Sequence, residues 1–352
     1  MSHNIFAAES SWMAHGSALQ DVILTSRIRL ARNIRGFPFP HRTTMESKEA
    51  LTSRVEVLLP DLNGSSGKEW QLVRMNSLKS NLRGILLDKH LVSPQLVHNP
   101  DGASLLLSSD EEVAIMLNEE DHLRLQVLLP GEQLNASWET ATRIDDILEN
   151  ELDYAFASDL GYLTACPTNV GTGLRASVMA HLPALAISKK IPRLLTAINQ
   201  MGFVVRGIYG EGSEAAGQVY QISNQVSLGS AEGEVLQSLQ AIVKQVVDEE
   251  RNTRRSLQNS TEQELIDRIG RSIGTLKNAR LMDTAEAMQL LSDLRLGINL
   301  QRVYGIDCQT VSILLVKIQP SWLSVEYPQE NASLAWQRAA VLREALSQTS
   351  ID

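Results

Sequence analysis

The chain has 352 residues, 43% hydrophobic and 21% charged, an ordinary globular composition that supports a substantial core. Its net charge of −9 argues against a general nucleic-acid or anionic-membrane surface, while a local basic site stays open. No apolar run nears the ~18 residues of a membrane span, Met1-Ser2-His3-Asn4 does not open a secretory signal, and two cysteines, Cys166 and Cys308, make no disulfide scaffold, so a reducing cytoplasm is the expected location.

Residues 25–29 (Thr25, Ser26, Arg27, Ile28, Arg29) read, if extended, as a segment with Arg27 and Arg29 on one face, because side chains alternate along a strand. Residues 70–75, 84–88, 104–108 and 219–224 read as strands. Ile144, Ile147, Leu148 and Leu152 carry helical spacing, and glycine-rich joints fall at 171–173 and 207–217. Strand signals without regular βαβ alternation predict an α+β fold, an antiparallel sheet flanked by helices. After residue 230 the character changes. Val235, Leu239, Ile242, Val243 and Val246 form a helical stripe, and Ser260-x-x-Gln263 and Asp283-x-x-Glu286 resemble helix-start boxes. Further stripes follow at Leu265, Ile269, Ile273 and Leu276, at Ala287, Leu290, Leu291 and Leu294, and across 311–318, ending at Pro320. The expected division is a domain over 1–254 and an all-α helical bundle over 255–352, whose surplus apolar stripes suit a symmetric homodimer or packing on the first domain.

The most informative run is 118–124: Asn118, Glu119, Glu120, Asp121, His122, Leu123, Arg124. Three adjacent carboxylates lodged between apolar segments call for cations nearby, since burying even one uncompensated is costly. Four other segments supply matching chemistry. Arg27 and Arg29 side by side make a receptor for phosphate oxygens, although alone they read equally as a solvated basic edge. In the segment 166–175, Gly171 and Gly173 let the backbone approach a ligand, Arg175 brings charge, and arginines favour the Cys166 thiolate; alone, this is a buried cysteine and a turn. Glu211 rides a loop with Gly207, Gly210 and Gly212, suited to closing over a substrate or simply a surface turn. Asp88-Lys89-His90 is the fourth, and His90 alone reads as an ordinary satisfied histidine. Together they describe one site: arginines 27, 29, 124, 175 and 206 for a polyphosphate, Glu120 and Glu211 for a cation, and a thiol beside them. Phosphoryl transfer needs that division, because its catalysis is mostly positioning and charge neutralisation.

In this order the five segments resemble the signature of the guanidino (phosphagen) kinases, most specifically over 118–124 and 166–175. The resemblance implies an antiparallel catalytic sheet, ATP with Mg²⁺, and a nucleotide site from Thr25, Ser26, Arg27, Ile28, Arg29, His90, Arg124, Arg175, Ala176, Ser177, Val178, Met179, Arg206, Gly207, Ile208, Tyr209 and Gly210. Met179 stands where creatine kinase has a histidine. Glu120 and Glu211 are the implied guanidinium clamp, with Cys166 orienting the group. Only about 25 residues precede the first motif, so the N-terminal domain that encloses a free guanidine in small-molecule members is not expected. That departure, the helical C-terminal third and residues 220–224 are similar to the bacterial protein-arginine kinases (McsB type), with Gln221 in place of the usual acidic residue.

The implied reaction is transfer of the ATP γ-phosphate to arginine side chains of proteins, in stress response and protein quality control. The implied partners are a transcriptional repressor and unfolded proteins as substrates, a zinc-binding activator, and a Clp-type protease; no nucleic acid or membrane enters. The phosphoarginine-sensing Arg-Asp-x-x-Arg-Ala pocket of that family is eroded here to Arg338 and Ala339, which implies weak or absent activation by phosphoarginine. The rivals are a free-arginine kinase and a non-catalytic adaptor.

Overall fold

The computed structural model describes residues 5–208, 215–328 and 332–352. Tyr209, Gly210 and Glu211 therefore lie outside the described residues. The strands are β1 (Ile23–Arg32), β2 (Trp70–Arg74), β3 (Ser104–Ser108), β4 (Val113–Leu117), β5 (Leu123–Pro130), β6 (Phe156–Ala157), β7 (Gly161–Tyr162), β8 (Leu174–His181), β9 (Phe203–Gly207) and β10 (Val219–Asn224), with β11 (Val303–Tyr304) and β12 (Ser350–Ile351) near the C-terminus. The helices are α1 (Met45–Glu56), α2 (Leu59–Ser66), α3 (Ser80–Asp88), α4 (Pro94–His98), α5 (Leu134–Glu149), α6 (Pro183–Ile187), α7 (Ile191–Gln200) and α8 (Glu232–Ser260). The C-terminal ones are α9 (Glu262–Asn278), α10 (Thr284–Asn299), α11 (Cys308–Lys317), α12 (Pro320–Glu326) and α13 (Leu334–Ala345).

Eight strands form one antiparallel sheet in the order β2-β3-β4-β5-β1-β8-β10-β9. Alternation divides each central strand between two faces. Ile28 and Leu30 of β1, Leu125 and Val127 of β5, Ala176 and Val178 of β8 and Ile222 of β10 join the main core with α5 and the first half of α8. The opposite face is covered over β3 and β4 by α3 and α4, where Leu105, Leu107, Ala114 and Met116 pack with Leu86 and Leu96. Its central part carries the polar residues described below.

Two local readings need correction. Residues 84–88 lie in helix α3 instead of a strand, with Ile85 and Leu86 buried; a short apolar run does not by itself distinguish the two states. Ser260 does not start a helix. It ends α8, its Oγ donating to the Ser256 carbonyl, and α9 follows from Thr261. Asp283 does cap α10, its carboxylate accepting the Glu286 N–H. The β11–β12 pair adds a small ladder to the otherwise helical C-terminal unit.

The junction expected at 254/255 falls inside the continuous helix α8. Its residues Val235 to Val247 pack in the sheet's core, and Leu257 packs against the second, C-terminal core. Polar contacts brace α8 against α6 and, farther along, join the two parts. Glu250 accepts the Ala184 and Leu185 N–H groups at the start of α6, and Arg254 donates to Glu250. Asn299 donates to the Asp21 carbonyl, and His181 Nε2 lies 2.8 Å from Ser292 Oγ.

Candidate active site

The register of the sheet sets the site. Arg29 of β1 pairs with Arg175 of β8 on one side and Gln126 of β5 on the other; Arg27 pairs with Ser177, Ala31 with Arg124, and Gln221 with Arg206. Arg27, Arg29, Arg124, Arg175 and Arg206 thus project from one face, separated widely in sequence and adjacent in space. They line a cleft of ≈ 580 Å³ together with Gln126, Gly207, Ile208 and Gln221. The far wall comes from the end of α3 and the start of α4: Asp88, His90, Val92, Ser93 and Pro94.

Arg124 is tied to Glu119, whose two oxygens accept from Nη1 at 2.7 and 2.8 Å. Among the described residues, no carboxylate lies within ion-pair range of Arg27, Arg29, Arg175 or Arg206. Arg27 donates to Ser177 Oγ at 3.4 Å and to Gln221 Oε1, and Arg175 Nη2 to Ser223 Oγ at 3.3 Å. Among the described residues, the buried Nε atoms of Arg29 and Arg175 have no hydrogen-bond partner. Burial, then the Arg124 and Arg175 charges, pulls the Arg27 pKa down to about 9, and burial with the neighbouring arginines puts Arg29 well below its ordinary value. A guanidinium keeps its proton in proteins, so the depression expresses buried and crowded positive charge that an anion would relieve. Burial, then Arg27, lowers His90 to about 3, leaving a neutral imidazole at pH 7. His90 sits at positive φ, 62°, with its carbonyl held by Gln126 Nε2 at 2.8 Å and its ring 5.6 Å from that of Trp12.

A second, smaller cleft of ≈ 290 Å³ shares Arg29, Arg124, Arg175 and Arg206 with the first and adds Glu120, Asp121, Cys166 and Thr168. The three consecutive carboxylates have different circumstances. Glu119 is buried and accepts from Arg124, from Ser93 Oγ at 2.5 Å and from the Glu120 N–H; burial opposes ionisation, but these partners hold its pKa below the ordinary value. Asp121 Oδ1 accepts from Asn33 Nδ2 at 2.6 Å and from the Ala165 N–H at 2.7 Å, which pins the segment carrying Cys166. No described residue hydrogen-bonds the Glu120 carboxylate. Burial first, then the Asp121 and Glu119 charges, raises its pKa. Cys166 Sγ lies 3.1 Å from Thr168 Oγ1. Gly173, at φ 66°, lines this wall, and a Cβ there would meet the Ala31 carbonyl at 2.6 Å. Arg32 holds the turn by donating to the Thr172 carbonyl at 3.0 Å while paired with buried Asp145 at 2.7 Å.

The sequence-derived residues are therefore not all brought together. Arg27, Arg29, His90, Arg124, Arg175, Arg206, Gly207 and Ile208 line the larger cleft, and Glu120 and Cys166 the smaller. Ser26, Ile28, Ala176 and Val178 are not placed in either cleft: Ile28, Ala176 and Val178 belong to the core, and Ser26 Oγ ties β1 to α5 by donating to the Gly131 carbonyl and accepting the Gln133 N–H. Alternation puts these on the reverse face of the strands. Thr25 is buried, Ser177 supports Arg27, and Met179 packs with Leu24, Val219 and Ile208. Arg338 is buried far from both clefts in sequence and contact, donating to the Ile318 and Met282 carbonyls at 2.7 and 2.9 Å, with Ala339 in the C-terminal core. Sequence reasoning missed Gln126, Ser93 and Asp145 with Arg32. Only Ser93 left a signal, as a helix N-cap before Pro94. Among the described residues no group of three His, Cys, Asp or Glu side chains is arranged to hold a metal.

Comparison with known proteins yields two domain matches that together cover most of the chain. The ATP:guanido phosphotransferase C-terminal catalytic domain matches residues 52–253, and the protein-arginine kinase McsB C-terminal domain matches residues 262–352. The protein-arginine kinase of Bacillus subtilis (strain 168) is 43% identical over 352 residues, covering 98% of this chain and 96% of that protein. That of Moorella thermoacetica is 44% identical, covering 96% and 97%. Among solved structures, lombricine kinase superposes with a TM-score of 0.57 at 26% identity over 71% of each chain. A duplicated taurocyamine kinase from Schistosoma mansoni shares the fold, with a TM-score of 0.62 at 22% identity over 79% of this chain and 42% of that one.

Proposed function

The chain belongs to the ATP:guanido phosphotransferase family, and from that premise we propose that it is a protein-arginine kinase, transferring the γ-phosphate of ATP to arginine side chains of other proteins. The observation that carries the reading is the pair of clefts sharing Arg29, Arg124, Arg175 and Arg206, one lined by five arginines of which only Arg124 is paired with a described carboxylate, the other holding Glu120, whose carboxylate no described residue hydrogen-bonds. A polyphosphate suits the first and a guanidinium the second, with the shared arginines where the transferring group would pass.

ATP lies along the larger cleft, its phosphates on Arg27, Arg29, Arg124, Arg175 and Arg206. The target guanidinium enters the smaller one. A protonated guanidinium, with a pKa above ~12, offers no lone pair. Glu120 takes one N–H proton as the N–P bond forms in line and the bond from the γ-phosphorus to the bridging oxygen breaks, releasing ADP. The raised pKa of Glu120 makes its carboxylate a stronger base than an ordinary one. Cys166 orients the guanidinium, and Glu211 is proposed as the second acid of the clamp. The donor set is cationic, so Mg²⁺ is assigned to nucleotide oxygens and water, where it would offset phosphate charge.

The remaining reading is cytoplasmic and homodimeric, with domains over 1–254 and 255–352, and with a repressor, unfolded proteins, a zinc-binding activator and a Clp-type protease as partners. Arg338 already serves two backbone carbonyls, which supports weak or absent stimulation by free phosphoarginine. The test supplies ATP and Mg²⁺ with either free arginine or an unfolded arginine-rich protein and measures ADP release. Faster turnover on the protein is expected; rapid turnover on the amino acid alone would make the chain a free-arginine kinase.

A further inference from the structure

A third cleft, of ≈ 430 Å³, adjoins the guanidinium pocket and has no role in the chemistry above. The two share Glu120, and Ala165 lines the third cleft immediately before Cys166, which lines the pocket. On the other side, Ser93 and Pro94 face the nucleotide cleft while Gln95 and Leu96, next in α4, face the third. Glu119, clamped by Arg124 and Ser93, thus stands as a post between the nucleotide and this third space.

A pocket of ≈ 290 Å³ accommodates a guanidinium and the end of its stem but not a polypeptide backbone. The nucleotide occupies one exit. We infer that the third cleft is the other, and that it binds the substrate polypeptide flanking the target arginine; the inference rests on the protein-arginine kinase reading. The lining fits such an occupant. His41, Gln95 and Asn99 are exposed, and no described hydrogen bond engages the Gln95 side-chain amide. An amide can both donate to and accept from an extended main chain. The Asn118 amide nitrogen, by contrast, is spent: it donates to the Lys48 and Gly102 carbonyls and to Thr52, fixing the floor. The rim adds a cation, Lys48, whose Nζ makes only a 3.3 Å contact to the Asp101 carbonyl. Glu119 and Glu120 line the end of the cleft next to the guanidinium pocket, so it is at the rim that Lys48 favours an acidic residue flanking the target arginine and disfavours a basic one.

The experiment uses the full-length chain with short peptides of one arginine flanked by either aspartate or lysine, and compares wild type with Lys48→Glu and Gln95→Ala. Wild type is expected to phosphorylate the aspartate-flanked peptide with about tenfold higher kcat/KM. Lys48→Glu should abolish or invert that ratio, and Gln95→Ala should raise peptide KM several-fold with both flanks. KM for ATP should be unchanged in each, which also shows the variants to be folded. Peptides phosphorylated with the same ratio and KM by all three proteins would overturn the inference alone. Phosphorylation of free arginine with no peptide modified would overturn the protein-arginine kinase reading with it.

Discussion

Glu119, Glu120 and Asp121 show how three identical charges in a row acquire three jobs. Glu119 is neutralised by Arg124, Asp121 is spent on Asn33 and the Ala165 N–H, and Glu120 faces the guanidinium pocket. The flanking charges still act on Glu120 through space, adding to burial in raising its pKa. Asp121→Asn isolates that effect, because the amide oxygen can still accept both hydrogen bonds while the charge is gone. Removing a negative neighbour lowers the Glu120 pKa, so the acidic limb of the kcat/KM profile should move to lower pH. The same sign governs stability. Asp121 and Glu120 hold protons more tightly when folded than unfolded, so their contribution weakens as pH rises through the carboxylate range. Thermal denaturation of Asp121→Asn between pH 4 and 7 should therefore be flatter than wild type. An unmoved kinetic limb would separate Asp121 from the acid–base chemistry.

At the scale of elements, alternation along 25–29 was readable because a single strand decides it, and the observed β1 puts Arg27 and Arg29 on one face as expected. The reverse-face neighbours Ser26, Ile28, Ala176 and Val178 came along with the motif only because motifs are contiguous and strand faces are not. Helix α3 was misread because its apolar residues Ile85, Leu86 and Leu87 are consecutive, and only packing tells such a run from a strand. That packing has a visible tight point. A Cβ on Gly84 would collide with the Ser321 side chain of α12. In an isolated helix Gly→Ala gains up to about 1 kcal/mol. Here overpacking, typically about 1–3 kcal/mol, should win, and Gly84→Ala should lower stability in urea denaturation. Gly84→Ala with Ser321→Gly removes the clash at the cost of the Ser321 hydrogen bond to Asp88 and of a glycine in α12, so the double variant should lose less than the sum of the two single losses. An additive loss in the double variant would show that α12 does not press on α3 there.

Across the whole molecule, the helical unit was legible as a run of amphipathic stripes, but its attachment was not. Helix α8 runs through the expected junction, and polar contacts that fasten the two parts come from single residues, such as Asn299 on Asp21 and His181 beside Ser292, without periodicity. Likewise the five arginines were legible by type, while their convergence required the strand order, which places β1 between β5 and β8. The proposed kinase activity requires a cationic cleft that holds ATP beside an acid that deprotonates an arginine of another protein. Phosphorus NMR and peptide mapping after incubating the chain with ATP, Mg²⁺ and an unfolded protein test this directly, with Glu120→Gln as the partner experiment. Acid-labile phosphate on arginine nitrogens is expected with wild type, and at least about a hundredfold less with Glu120→Gln at unchanged ATP affinity. Phosphate on hydroxyl side chains, or phosphoarginine formed equally by both proteins, would contradict it.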